Sequence, residues 1–113
     1  MIRVTYDRKA HWLTVKGHAG ASPHGEDIVC AGVSALVCTL AEAVRCMERN
    51  KQVQQVEIKL LAGDGEIRFE TEYPCLANSV ADTVCLGLAC LAKQYPDYVS
   101  YEERRPGRND TDV

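Results

Sequence analysis

No Cys-x-x-Cys pair occurs in this sequence, which removes zinc ribbons and thioredoxin-type redox sites from consideration. No GxxxxGK[ST] run is present, so a glycine-rich approach to a helix has no phosphate-loop lysine behind it. A basic excess is missing as well: 13 Lys and Arg stand against 16 Asp and Glu, a formal charge of −3. A nucleic-acid surface needs the opposite balance, so no direct nucleic-acid partner is expected. The opening residues Met1-Ile2-Arg3-Val4-Thr5-Tyr6-Asp7 lack the apolar core of a secretory signal. No continuous apolar run reaches the roughly eighteen residues of a membrane span. These absences lead to the expectation of a soluble, cytoplasmic chain with no membrane partner.

What is present suits one domain. The 113 residues, 46% of them apolar, can bury roughly two-thirds of the unfolded surface without staples. Six cysteines are many for this length. Cys30, Cys38 and Cys46 are spaced eight apart on one predicted helix, a rise of about 12 Å per step. A disulfide needs Cα atoms within about 7 Å. The expectation is six free thiols, most of them small buried hydrophobes.

Alternation predicts strands over residues 2–7 and 11–17, joined at Asp7-Arg8-Lys9, with Leu13 and Val15 inward. Residues 17–27 carry three glycines and a proline without periodicity and read as a loop. From Ile28 the apolar positions Val29, Val33, Leu36, Val37, Leu40, Val44 and Met47 follow helical spacing, with Asp27 as N-cap and a stop near Arg49-Asn50-Lys51. Residues 54–62 and 66–72 read as a hairpin turning at Gly63-Asp64-Gly65, with Val56, Ile58, Leu60, Ile67 and Phe69 inward. A second helix follows Pro74 and buries Ala77, Val80, Ala81, Val84, Leu88 and Leu91. A last strand over 97–103 gives the order ββαββαβ. That is an α+β domain over 1–103, two helices on one antiparallel or mixed sheet or on its two faces, with a polar, disordered tail over 104–113.

Chemistry concentrates in the loop before the first helix. With Asp27 as cap, Cys30 falls in the first turn, where the positive end of the helix dipole favours thiolate, the nucleophilic form. Unpaired N–H groups of that turn would be available to an oxyanion. His18 sits at the strand-to-loop junction, twelve residues earlier, close enough for the loop to bring imidazole to sulfur. A strand-end base, a helix-start thiol and a glycine loop between them suit acyl transfer. The plain reading of the same residues is a core cysteine and a solvated histidine. For Cys38, Cys46, Cys75, Cys85 and Cys90 only the core reading has support. Asp27 has two roles open to it, cap or orienter of His18, and one carboxylate cannot fully serve both. Ser34, one turn after Cys30, either bonds within the site or back to the Cys30 carbonyl. His24 reads as solvated surface, and Gly32 as a close helix–sheet contact.

Gly17-His18-Ala19-Gly20, followed by Gly25-Glu26-Asp27-Ile28-Val29-Cys30-Ala31-Gly32-Val33-Ser34-Ala35-Leu36, resembles the signature of the ribosomal-processing cysteine proteases: GHA, a short glycine-containing loop, then G-x-D-I-V-C-A-[AG]-V-S. Length and element order agree over the whole chain. The resemblance implies a His18–Cys30 dyad and a homodimer; no cofactor and no metal are expected. It also implies a substrate loop, including Gly17, Ala19, Gly20, Ala21 and Gly25, that closes over bound peptide. The task it implies is removal of an N-terminal extension from a bacterial large-subunit ribosomal protein. One departure is Ala21, where the family often has an aromatic residue.

Three other readings compete. A metal module could use His18, His24 and Cys30, though their spacing matches no common pattern. An anion-binding loop would set Glu26 and Asp27 against the anion. A ribosome-associated interaction domain with an incidental thiol would need no chemistry at all.

Overall fold

The computed structural model describes residues 1–18 and 23–104, and for 23–27 the backbone alone. The described elements are β1 (Ile2–Asp7), β2 (Trp12–Lys16), α1 (Pro23–Arg49), β3 (Gln54–Leu61), β4 (Asp64–Glu70), α2 (Pro74–Gln94) and β5 (Val99–Arg104). The ββαββαβ order and the α+β class are as the sequence predicts. The five strands form one mixed sheet in the order β3-β4-β2-β1-β5, with only β1 and β5 parallel.

Both helices lie on one face of this sheet. Ile2, Val4, Tyr6, Leu13, Ile67, Phe69 and Val99 are buried there, while their neighbours along each strand point to the opposite, polar face. From above, α1 brings down Val29, Val33, Val37, Leu40, Val44 and Met47, and α2 brings Ala77, Ala81, Val84 and Leu88. Burying a side chain such as Leu40 or Leu88 stabilises the fold by about 1.5–3 kcal/mol. The helices touch through two glycines. A Cβ on Gly32 would come 3.2 Å from Leu91, and one on Gly87 3.0 Å from Leu36. Gly32 thus admits the neighbouring helix, where the sequence suggested the sheet.

Several expectations are corrected. Helix α1 begins at Pro23, so residues 23–27 are helical and Asp27 is its fifth residue, past any capping position. Proline at the first helical position is as good a start signal as a capping aspartate, and Gly25 weakens a helix without breaking it. The hairpin turns on Ala62 and Gly63, because Asp64 pairs with Leu61 and Gly65 with Leu60. Leu60 is exposed, unlike its neighbours Val56 and Ile58, which pack on the core. All six cysteines are free, yet only Cys85 is buried; Cys38, Cys46, Cys75 and Cys90 are exposed and Cys30 is half-buried. Their helical phase puts them off the apolar stripe. Strand β5 runs to Arg104, which pairs with Asp7, and the tail from 105 lies outside the described residues.

By length and composition, Ile28–Arg49 and Pro74–Gln94 could each cross a membrane, although no continuous apolar run led to that view. Alanine and cysteine raise the average without forming a run. In this fold each helix lays one apolar stripe on the sheet, while Ile28, Leu76 and Leu86 stay exposed.

Candidate active site

At one end of the sheet, the start of β1, the end of β2 and the β3–β4 turn come together. Helix α1 crosses above them. Between them lies a cleft of about 340 Å³, within the size range of ligand pockets. His18 and Cys30 both line it, as do Gly17, Ser34, Cys38, Leu60, Leu61 and Gly63. Val15, Val33, Val37 and Ile2 supply apolar wall.

Each chemical group has a structural reason for its position. Strand β2 delivers His18 because Arg3 pairs with Lys16 on one side and Asp64 pairs with it on the other. Gly17 then takes the chain through a narrow gap. Its φ is +94°, its N–H donates to the Gly63 carbonyl at 2.9 Å, and a Cβ on it would strike the Met1 carbonyl oxygen. Only glycine fits both the conformation and the space. Cys30 comes from α1, between the buried Val29 and Val33, so packing fixes its height over the sheet. It is half-buried, and His18 is exposed.

Asp64 ties the turn to the strands on both sides, bonding to Lys16 and, at 3.0 Å, to Lys59. Hydrogen bonds from these two lysines hold its carboxyl below the usual carboxylate range. The acid at the rim is therefore compensated within the rim itself.

The longer helix revises the expected chemistry. Cys30 is the eighth residue of α1. An N–H at that position bonds to the carbonyl four residues back, and the dipole effect fades beyond the first turn. Neither first-turn N–H groups nor the helix end can then serve Cys30 as expected. Among the described side chains, the His18 imidazole lines the same cleft as Cys30. Ser34 is exposed and lines the cleft. Ala19, Gly20 and Ala21 lie outside the described residues, as do the side chains of His24, Gly25 and Asp27. Among the described residues no three His, Cys, Asp or Glu side chains group as metal ligands.

Sequence reasoning missed the part played by the β3–β4 turn and by Cys38. The Gly-Asp-Gly run was visible, but read as a hairpin signal. Nothing local says that this hairpin's tip meets the end of a strand some 45 residues earlier.

A thiol and an imidazole walling one cleft at the end of a mixed sheet have the parts of a thiol-dependent hydrolase. The family model for cysteine protease Prp matches residues 1–100. The chain belongs to that family, and so to the cysteine proteases. The ribosomal processing cysteine protease Prp of Mycoplasma pneumoniae is 32% identical over 105 residues, spanning 93% of this chain and 97% of that protein. Among solved structures, the ribosomal processing protease Prp from S. aureus in complex with a covalently linked product peptide superposes with a TM-score of 0.70, at 23% identity over 92% of this chain and 100% of that one. SMU.848 from Streptococcus mutans gives a TM-score of 0.66 at 24% identity, covering 93% and 95%. Both structural likenesses concern the fold.

Proposed function

We propose that this chain is an endopeptidase in which Cys30 attacks the scissile carbonyl and His18 is the base. His18 takes the thiol proton as the sulfur–carbon bond forms. It returns that proton to the leaving amine as the peptide bond breaks. Water then attacks the acyl-enzyme, again deprotonated by His18, and the thiol is regenerated with release of the new carboxylate. The observation that carries this reading is the convergence of these two residues, from a strand end and a helix, on one cleft in a chain of cysteine protease family. The apolar walls of Val15, Val33 and Val37 suit a peptide with apolar side chains near the cut.

The substrate we assign is the N-terminal extension of a large-subunit ribosomal protein. The ribosomal-processing name of the M. pneumoniae relative supports this. The test is incubation with the host's own extended ribosomal protein and, separately, with an unrelated unfolded protein. Cleavage of the first alone, abolished in Cys30→Ala, is expected. Equal cleavage of both would make the chain a general peptidase, and cleavage of neither would overturn the assignment.

A homodimer in the cytoplasm completes the proposal. Its support is a surface: α1 has no charged residue from 28 to 41, and α2 has only Asp82 from 74 to 92. On the outer side of these helices Leu86 is 70% exposed and Ile28 62%. Exposed large apolar side chains on helix faces that carry almost no charge suit an association site. Sedimentation at micromolar concentration should give twice the chain mass, and a monomer would refute the dimer.

A further inference from the structure

An exposed histidine at the end of a strand has several rotamers open to it, and a general base must keep one. His18 makes no hydrogen bond to any described residue that would choose among them. The structure offers a different restraint. Gly63, at the tip of the β3–β4 turn, has φ of +72°. A Cβ built on it would lie 2.5 Å from Nε2 of His18, 2.7 Å from Cε1 and 3.3 Å from Cδ2. The imidazole edge therefore occupies the space that any side chain at position 63 would need.

The turn beneath that ring is held firmly. The Gly63 carbonyl accepts from Gly17 N–H at 2.9 Å, one residue before His18. Asp64, the next residue, bonds to Lys16 and Lys59. Strand pairing locks Asp64 against Lys16 and Leu61. The floor and the residue standing on it are thus fixed to the same strand end, with Gly17 as the only residue between the two attachments. A hydrogen bond to a side chain would also orient the ring, but it would draw on the ring's proton chemistry. A bare backbone restrains it by contact alone.

From this arrangement we infer that Gly63 is a positioning residue for the proposed reaction: its missing side chain makes the seat that holds the His18 imidazole toward the cleft. The inference rests on the role of His18 proposed above, but the seat itself can be tested without any turnover. In the unmodified protein, a nuclear Overhauser contact should join the His18 ring protons to the Gly63 α protons; its absence overturns the seat. Gly63→Asn is the informative variant, because asparagine tolerates positive φ and so adds a Cβ with little strain in the turn. Its melting temperature should stay near that of the parent, and the His18 imidazole resonances should shift. Against a peptide spanning the ribosomal protein's N-terminal extension, kcat should fall about a hundredfold, the scale of a 1 Å misplacement, with KM within about threefold. In a His18→Ala background the same change should cost no further activity. Unmoved His18 resonances, or an unchanged kcat in Gly63→Asn, would sink the proposal. Should Gly63→Asn fail to fold, the contact measured in the parent decides. If the parent cleaves nothing, the functional reading fails, while the contact still tells whether the seat exists.

Discussion

Two thiols, one at each end of the same sheet, live under opposite rules. Cys30 is half-buried on a cleft wall it shares with an exposed histidine. Cys85 is 2% exposed, on α2 over β1 and β5 at the other end, near Tyr6, Tyr101 and Glu103. Burial pushes the Cys85 thiol up to about 11, and the neighbouring carboxylates add to the rise; only a hydrogen bond with Tyr101 opposes it. Burial likewise drives Tyr6 and Tyr101 well above the usual phenol range. Tyr101 donates to Glu103 at 3.3 Å, and Arg8 closes the end with a bond to Asp82 at 3.1 Å. A buried thiol among phenols and carboxylates is an inert one. The comparison teaches that sulfur chemistry here is decided by access and neighbours, since both cysteines sit on helices of similar apolar character.

The largest expected effect breaks the comparison at its reactive end. Cys30→Ala should reduce cleavage by about 10⁴-fold or more with the fold kept, because the proposed nucleophile is gone. Retained turnover would move the chemistry to another residue. Cys85→Ala should leave cleavage intact.

His18→Ala should lower kcat about 10²–10⁴-fold. Combined with Cys30→Ala it should add almost nothing, because the pair acts as a unit. Additive losses would show that His18 serves some other purpose.

At the sealed end, the Tyr6 hydroxyl is buried with no hydrogen-bond partner among the described residues. Tyr6→Phe should leave thermal stability unchanged or raise it by about 1 kcal/mol, since an unmatched polar group is removed from the core. A clear loss of stability in denaturant unfolding would reveal a partner for that hydroxyl.

A pH slope marks the sealed end as well. The folded state holds the Cys85 proton to about 11, against an ordinary thiol value of 9.0. Between these values the unfolded chain binds fewer protons than the folded one, so stability must fall as pH rises from about 9 to 11. The contribution is fully present below 9. Melting curves across this window should decline less steeply in Cys85→Ala, and an equal decline would assign the slope to the buried tyrosines alone.

The helical stripes were legible in the sequence because periodicity is a local property. Val29, Val33, Val37, Leu40, Val44 and Met47 on α1, and Ala77, Ala81, Val84 and Leu88 on α2, are buried as the spacing predicts. The start of α1 was not legible, because Pro23 and Asp27 are both valid start signals and local chemistry cannot rank them. That ambiguity moved Cys30 from the first helical turn to the eighth residue and changed what could activate it. The exposed cysteines were misjudged for a related reason: average burial of a residue type says nothing about its phase on a particular helix.

By itself the sequence determined the element order and the α+β class, since spacing and residue type carry both, and its resemblance to a known family singled out His18 and Cys30 together. Only the tertiary structure decided that both helices share one face and that β1 and β5 run parallel. It alone brought the tip of the β3–β4 turn under His18 and put Cys38 on the same cleft. Those facts depend on contacts between residues some 20 and more apart, which strand register and core packing create and no local pattern encodes.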